Sequence, residues 1–472
     1  MLNKLKEGHW PIFLLSSISS MANLFLPIIL VRILAPSDIG LYKIFFLHLG
    51  AIPFILMSGG PINSVYYWVG KSKPDRDKLI QSAWLLSVLL SSLVFIIGLP
   101  TLYFISKHLN FPVEYTLLMI ICGFLWCPGS YFSETNIAKG KTAYGALFSA
   151  GFEILKVCSF IILAVLFKDI GYLFYAFASI LVIKFLITII VGLKQNTVKF
   201  EVNPKHLKTV WKYCLPISAS GALGFFVDKI DQLLLASFLN SADFAFYSMG
   251  CLIVPPLIMI DMSVQKVLIP KLAANYEKNN FSVAAEYFKK AISDIAFLII
   301  PAVFGLAYFA EPITKLLYTE QYLASVPFLQ VFAISYLLYC IPHDAVPRAT
   351  GHTSWIFKIY MVVTPISLVT VFLAASYSTA LATLTMAITV KFIPKIAGLA
   401  YSKKVMNWSW REMFPTKRII AFTGLSTILC LISELVSALF SNDLIWFLVC
   451  APVFAIVYLG ITIFAIKRHN RD

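Results

Sequence analysis

Charge is scarce in this chain. Asp, Glu, Lys and Arg make up 13% of its 472 residues, against 59% hydrophobic, and the mean hydropathy is +0.83. A soluble globule covers itself with about 25% charged residues, so water is not the main solvent here. Room for a soluble domain is missing too: the longest stretch between apolar runs is about 20 residues, and each run has the length that a helix needs to cross a bilayer core. That argues against a glycan polymerase or transferase with a large catalytic loop. The sequence holds no P-loop, no GxSxG and no HExxH, and its carboxylates are not gathered with histidines. ATPase, hydrolase and metalloprotease chemistry therefore has no motif, and neither enzyme activity, a cofactor nor a metal is expected. The eight cysteines, Cys122, Cys127, Cys158, Cys214, Cys251, Cys340, Cys430 and Cys450, stand in apolar runs without a CxxC or a Cys/His cluster. Zinc and redox motifs are thus unsupported. No small-residue cleavage signal follows the first apolar run, which reads as an uncleaved span. The alternating pattern of a membrane barrel is also missing.

What is present is a succession of long apolar runs from Trp10 to Ile466. Lipid offers no partners for free backbone N–H and C=O groups, so these runs are expected to be helices. They fall at 10–34, 41–69, 79–105, 114–138, 143–167, 171–193, 212–238, 244–270, 291–318, 325–348, 354–376, 378–400, 417–440 and 444–466, about fourteen spans. An even number puts both termini on one side. Basic residues gather in alternate loops: Lys4 and Lys6; Lys71, Lys73, Arg76 and Lys78; Lys139 and Lys141; Lys194 to Lys212; Lys271 to Lys290; Arg348; Lys395 to Arg418; and Lys467, Arg468 and Arg471. The opposite loops offer Lys107, Lys168 and Lys315. The positive-inside rule then places both termini on the cytoplasmic side. The net charge of +15 belongs to these short loops, without the extended basic face that nucleic acid needs. Segment 271–290 is amphipathic, and it reads either as a helix along the membrane surface or as a solvated connector.

The chain repeats itself. Pro11-Ile12 and Pro216-Ile217 open the first and seventh spans, and RILAPSDIGLY (32–42) aligns with SFLNSADFAFY (237–247). Gly140-Lys141-Thr142 and Gly351-His352-Thr353 follow spans four and ten. A six-span period implies two parallel repeats, the plan of transporters that alternate access by rocking one half against the other. The expected organisation is an N-terminal six-helix lobe (1–193), a cytoplasmic connector (194–211), a C-terminal six-helix lobe (212–400), and two added helices with a basic tail (401–472). Pro53 and Gly59-Gly60-Pro61 interrupt span two, and Pro255-Pro256 interrupts span eight. Such matched breaks read either as marks of moving or cavity-lining helices or as static kinks.

Ionisable residues stand inside several spans, each costing roughly 2.5–3.5 kcal/mol at the bilayer centre unless paired or hydrated. Span seven carries Asp228, Lys229 and Asp231. The two acids share a helix face, with Lys229 about 100° away, which reads as a cavity-facing acidic pair or as internal salt bridging. Asn23 takes the equivalent place in span one. Glu153 and Lys156 in span five are spaced to pair. Asp261 and Lys266 stand in span eight, Lys184 in span six, and His343, Asp344 and Arg348 at the end of span ten, while Arg32 and Lys43 flank the first outer turn. Arg348, Lys358 and Lys395 are expected to extend to the inner membrane surface.

VRILAPSDIGLYKIF resembles the R-x-L-x-P-x-x-x-G-x-Y signature of the polysaccharide transporter family. VDKIDQLLLASFLNSADFAFYSMG resembles its second-half counterpart, and VLIPKLAANY and RATGHTSWIF also fit, so that the resemblance runs over roughly residues 10–400. That family includes Wzx-type O-antigen flippases and lies in the larger group holding MATE drug exporters and lipid II flippases. The resemblance implies an all-α membrane protein of about fourteen helices, with two pseudo-symmetric six-helix lobes around a central cationic cavity plus two C-terminal helices. It implies a flippase that moves undecaprenyl-pyrophosphate-linked oligosaccharide repeat units for O-antigen, capsule or exopolysaccharide synthesis. The expected partners are that glycan carrier and membrane lipids, for a monomer that binds no nucleic acid; polysaccharide polymerase and chain-length proteins are candidates only. Arg32, Lys43, Lys156, Lys184, Lys229 and Lys266 are the cation candidates for the pyrophosphate. Asp228, Asp231, Asp261 and Glu153 are the candidates for ion coupling. Two alternatives stay open: a MATE-like ion-coupled exporter of small molecules, and a membrane glycan polymerase or transferase.

Overall fold

A computed structural model describes residues 10–70 and 75–469, and every regular element among them is helical. Lys4, Lys6, Lys71, Lys73 and Arg471, which carry part of the expected charge asymmetry, lie outside the described residues. Twelve helices are long and apolar enough to cross a membrane, and a thirteenth crossing is the pair Ser241–Gly250 and Pro255–Glu277, bent by 48°. The shorter apolar stretch Leu14–Leu30 matches the first expected span. Each of the fourteen expected segments thus has a helical counterpart, and the chain is a multi-pass membrane protein. By packing, it divides into two compact units, Met1–Ala245 and Phe246–Asp472.

The first unit contains α1 (Trp10–Leu30), α2 (Pro36–Ile55), α3 (Gly59–Val69), α4 (Arg76–Gly98), α5 (Leu102–His108), α6 (Val113–Ala138), α7 (Thr142–Phe167), α8 (Ile170–Lys194) and α9 (Pro204–Phe238). Helix α6 is its central column: 67% of its apolar window is buried, and it packs on α2, α3, α4, α5, α7 and α8. Tyr131 on α6 donates to the carbonyls of Ile80 and Thr197, both at 2.9 Å, tying α6 to α4 and to the segment after α8. Small residues let the columns close. A Cβ on Gly145 of α7 would sit 2.6 Å from the Ser133 carbonyl oxygen of α6. Phe45 stacks on Phe174 at 4.2 Å between α2 and α8. α1 packs chiefly against α7, the contact on which the site below depends.

Helix α10 (Ser241–Gly250) carries the boundary between the units. The second unit continues with α11 (Pro255–Glu277), α12 (Phe281–Tyr308), α13 (Ala310–Tyr318), a 3-10 turn (Glu320–Ser325), α14 (Val326–Ser335), a second 3-10 turn (Tyr336–Cys340), α15 (Ala345–Ala349), α16 (Thr353–Tyr377), α17 (Ala380–Met406), α18 (Trp410–Met413), α19 (Thr416–Ser437) and α20 (Asp443–His469). α19 and α20 pack on α12, with Phe297 against Phe422 and Tyr458. Between α10 and α11 the backbone leaves helical geometry over residues 251–254. There the Tyr336 hydroxyl donates to the Leu252 carbonyl and accepts from the Val254 N–H, both at 2.7 Å.

The internal repeat has a structural counterpart. Pro36 and Ser241 both begin helices, at the same sequence offset as Asp38 and Asp243, which each stand in a first helical turn. Gly140 (φ 83°) and Gly351 (φ 76°) both adopt the left-handed conformation two residues before a helix begins. A Cβ at either meets no neighbour within 4 Å, so only the backbone term opposes substitution. Gly140→Ala and Gly351→Ala are each expected to lower stability by about 1 kcal/mol in detergent melts, and asparagine, which tolerates this conformation, by less.

Two expectations change. Segment 271–290 forms no separate surface helix: α11 continues to Glu277 and α12 starts at Phe281. The turn between them is made by Asn279 in the left-handed conformation (φ 55°), which asparagine accepts at low cost. Lys271 lies 4.7 Å from the Tyr287 ring centre and fastens the two helices together. The long inner segment after span six is irregular over residues 195–203. Pro204 then opens α9, capped by the Asn203 carboxamide oxygen, which accepts from the N–H groups of Lys205 and His206.

Candidate functional site

In each unit a cluster of ionisable side chains stands within the membrane-spanning segments. In the first unit it is built on α7, whose pitch sets Glu153 and Lys156 on one face. Lys156 Nζ lies 2.6 Å from Glu153 Oε2. The same oxygen accepts from Asn23 Nδ2 of α1 at 3.1 Å, and Asn23 also donates to the Ser19 carbonyl at 2.9 Å. The packing of α1 on α7 thus supplies the carboxylate's second partner. Lys184 on α8 feels Glu153 and Glu134 as attractions and Lys156 as a repulsion. α8 comes close because Thr188 donates to the Gly129 carbonyl of α6 at 3.0 Å, one turn from Lys184. Glu134 on α6 accepts from the Tyr66 hydroxyl of α3 at 2.6 Å.

In the second unit Asp261 of α11 is 8% exposed and accepts from Gln265 Nε2 at 2.8 Å. Asp344 binds Arg348 at 2.6 Å, and His343 Nδ1 lies 3.8 Å from Asp344. Lys395 of α17 donates to the Ile341 carbonyl at 3.4 Å, within the field of both Asp261 and Asp344. α17 reaches this turn because residue 398 is glycine: a Cβ there would lie 2.5 Å from the His343 carbonyl oxygen.

The structure brings together four of the expected residues, Glu153, Lys156 and Lys184 with the noted Asn23, and sets Asp261 in a second cluster. Arg32 follows α1 and its guanidinium donates to the Ile28 carbonyl; Lys43 stands on α2. Lys266 is exposed on α11. Asp228 and Asp231 are not an equivalent pair: Asp231 is 2% exposed, whereas the Asp228 side chain is 66% exposed and meets Lys229 at 3.9 Å. The flexible lysine stem closes the 100° that the helix opens between them.

Lys395 donates to the 341–344 turn, and Arg348, half exposed, pairs with Asp344 of the same turn. Glu134, Tyr66 and Gln265 were not expected. A signal for Lys395 existed: it is offset from Lys184 by the same number of residues as Gly351 from Gly140. The two lysines are therefore repeat equivalents, each set against carboxylates of its own unit. Among the described residues, no group of three or more His, Cys, Asp or Glu gathers closely enough to hold a metal ion.

Comparison with known proteins agrees with this architecture. The whole fold is similar to the lipid II flippase MurJ in an inward closed conformation, with TM-score 0.74, 16% identity, and 97% of this chain and 99% of that chain covered. It is also similar to an inward-facing multidrug resistance MATE family transporter of the MOP superfamily, with TM-score 0.60, 15% identity, and 82% and 94% covered. In sequence, 132 residues are 29% identical to the teichuronic acid biosynthesis protein TuaB of Bacillus subtilis (strain 168). That match covers 27% of this chain and spans 27% of that relative's length. A model of the family described as polysaccharide biosynthesis protein matches residues 29–327. The chain therefore belongs to the polysaccharide biosynthesis protein family.

Proposed function

We propose that this protein is a flippase that carries an undecaprenyl-pyrophosphate-linked oligosaccharide across the bacterial inner membrane for surface polysaccharide synthesis. The observation that carries this reading is the first unit's cluster, where Lys156 and Lys184 are kept inside membrane-spanning helices with Glu153 beside them. A cation held in lipid costs a few kcal/mol, and a polyanionic headgroup that must cross the same layer gives that cost a purpose. Ammonium groups bind phosphate oxygens as point charges. Family membership and a fold shared with a lipid II flippase support the same reading. The carrier's hydrocarbon tail would stay in the bilayer while the glycan headgroup moves.

In this proposal Lys156 and Lys184 are the principal cations, with Arg32, Lys43, Lys229 and Lys266 as further contacts along the path. Glu153, Asp228, Asp231 and Asp261 remain the ion-coupling proposals, joined by Asp344. The two six-helix lobes with a connector at 194–211, the cytoplasmic termini and a monomeric state belong to the same proposal.

The test is a reconstituted translocation assay with a fluorescent undecaprenyl-pyrophosphate glycan in proteoliposomes. Lys156→Ala with Lys184→Ala is expected to slow translocation at least tenfold at equal protein content. An undiminished rate would remove both lysines from the mechanism. Absence of translocation by the unaltered protein, with efflux of small organic cations in its place, would favour a MATE-like exporter.

A further inference from the structure

The first unit carries a second charged feature, away from the intramembrane cluster. At the end where α3, α6 and α8 stop and α4 begins, two adjoining clefts open, of about 460 Å³ and 300 Å³. They share Lys139, Gln195 and Thr197. Arg76 and Asp77 line the larger one, and Lys141, Asn136 and Thr135 the smaller.

Three cations thus face a lining in which Asp77 is the one acid. Asp77 is already engaged by Arg76, at 3.4 Å. Lys139 and Lys141 have no ion-pair partner within 4 Å among the described residues. The Lys139 ammonium is pushed below its usual range chiefly by desolvation; Asp77 opposes this, and Arg76 and Lys141 each add a smaller repulsion. Like charges gathered in this way repel one another until an anion neutralises them.

Neutral donors complete the surroundings. The amide of Gln195 lines both clefts, and that of Asn136, which also donates to the Phe132 carbonyl, lines the smaller. The Thr135 hydroxyl, on a residue 3% exposed, lies beside the Tyr131 hydroxyl at the edge of the smaller cleft. Lys141 is the N-cap of α7 and gives the first turn no side-chain acceptor, which leaves the positive end of a 26-residue helix beside the two lysines. Cations, uncharged donors and a helix N-terminus in one concave place suit phosphate oxygens.

We propose that this double cleft is a binding site for a phosphate or diphosphate group, separate from the intramembrane cluster and independent of what the protein transports. It lies where spanning helices end, so the same chemistry has two possible sources: the headgroup of an anionic bilayer lipid, or a soluble phosphorylated compound.

The experiment uses the full-length protein in nanodiscs. In phosphatidylcholine alone, inorganic pyrophosphate is titrated by calorimetry. In a second arm without pyrophosphate, phosphatidylglycerol is added stepwise and the melting temperature is followed. A soluble source gives pyrophosphate binding that weakens at least tenfold in Lys139→Ala/Lys141→Ala and survives in Lys139→Arg/Lys141→Arg. A lipid source gives a melting temperature that rises with phosphatidylglycerol, with the rise lost in the alanine double variant and kept in the arginine one. Asp77→Asn removes the opposing acid at an exposed position and is expected to strengthen whichever interaction occurs several-fold; it reads the site even if the alanine variant fails to fold. The proposal is overturned if neither probe acts, or if both act equally on the unaltered protein and these variants.

Discussion

Glu153→Leu is expected to destabilise the protein by about 2–3 kcal/mol, seen as a lower melting temperature in detergent and less protein in the membrane. Glu153 Oε2 holds Lys156 at 2.6 Å and Asn23 at 3.1 Å. Removing it strands an ammonium group whose side chain is only 12% exposed. Breaking one side of a buried pair is far more costly than removing both, because the remaining charge stays uncompensated. Glu153→Leu combined with Lys156→Met is therefore expected to recover most of the loss, to within about 1 kcal/mol of the unaltered protein. Translocation should separate the two effects: the double variant regains its fold but, lacking the cation, remains at least tenfold slow. If single and double variants melt alike, the pair contributes nothing to stability, and the cost assigned to a lone cation at this depth is wrong.

Gly398→Ala is expected to cost about 2 kcal/mol and Gly398→Val more, in the upper range for overpacking a tight contact. The added Cβ would stand 2.5 Å from the His343 carbonyl oxygen and 2.7 Å from its Cβ, so α17 must retreat from the 341–344 turn. That retreat would lengthen the Lys395 contact to the Ile341 carbonyl, already 3.4 Å, and move the lysine relative to Asp261 and Asp344. Gly305→Ala on α12 is the control: its Cβ meets nothing within 4 Å, and alanine is the better helix former. Melts in which both alanine variants behave alike would show that α17 is free to shift at no cost.

The spanning helices were legible in the sequence because lipid enforces length and apolarity on every one of them. The breaks in spans two and eight were legible because glycine and proline announce them: α2 stops before Gly59-Gly60-Pro61, and α11 begins at Pro255. The Glu153–Lys156 pair followed from helix pitch alone. Partners on other helices did not. Nothing local to Glu134 points to Tyr66, and nothing near Lys395 points to Asp261 and Asp344, because those contacts depend on how separate helices pack, as α17 does on the 341–344 turn at Gly398. Asp228 and Asp231 mark the opposite failure. Their shared face was read correctly from the pitch, but burial varies along the face, and a neighbouring element decides which acid it covers. Segment 271–290 left two readings open because an amphipathic pattern is common to a helix lying on a surface and to a helical connector; Asn279, at φ 55°, marks the turn between two helices.

The phenol of Tyr336 has a consequence for motion. It holds two of the backbone groups at the 48° angle between α10 and α11, the Leu252 carbonyl and the Val254 N–H, and lipid would offer neither a partner. The elbow is consequently latched by one phenol rather than left loose.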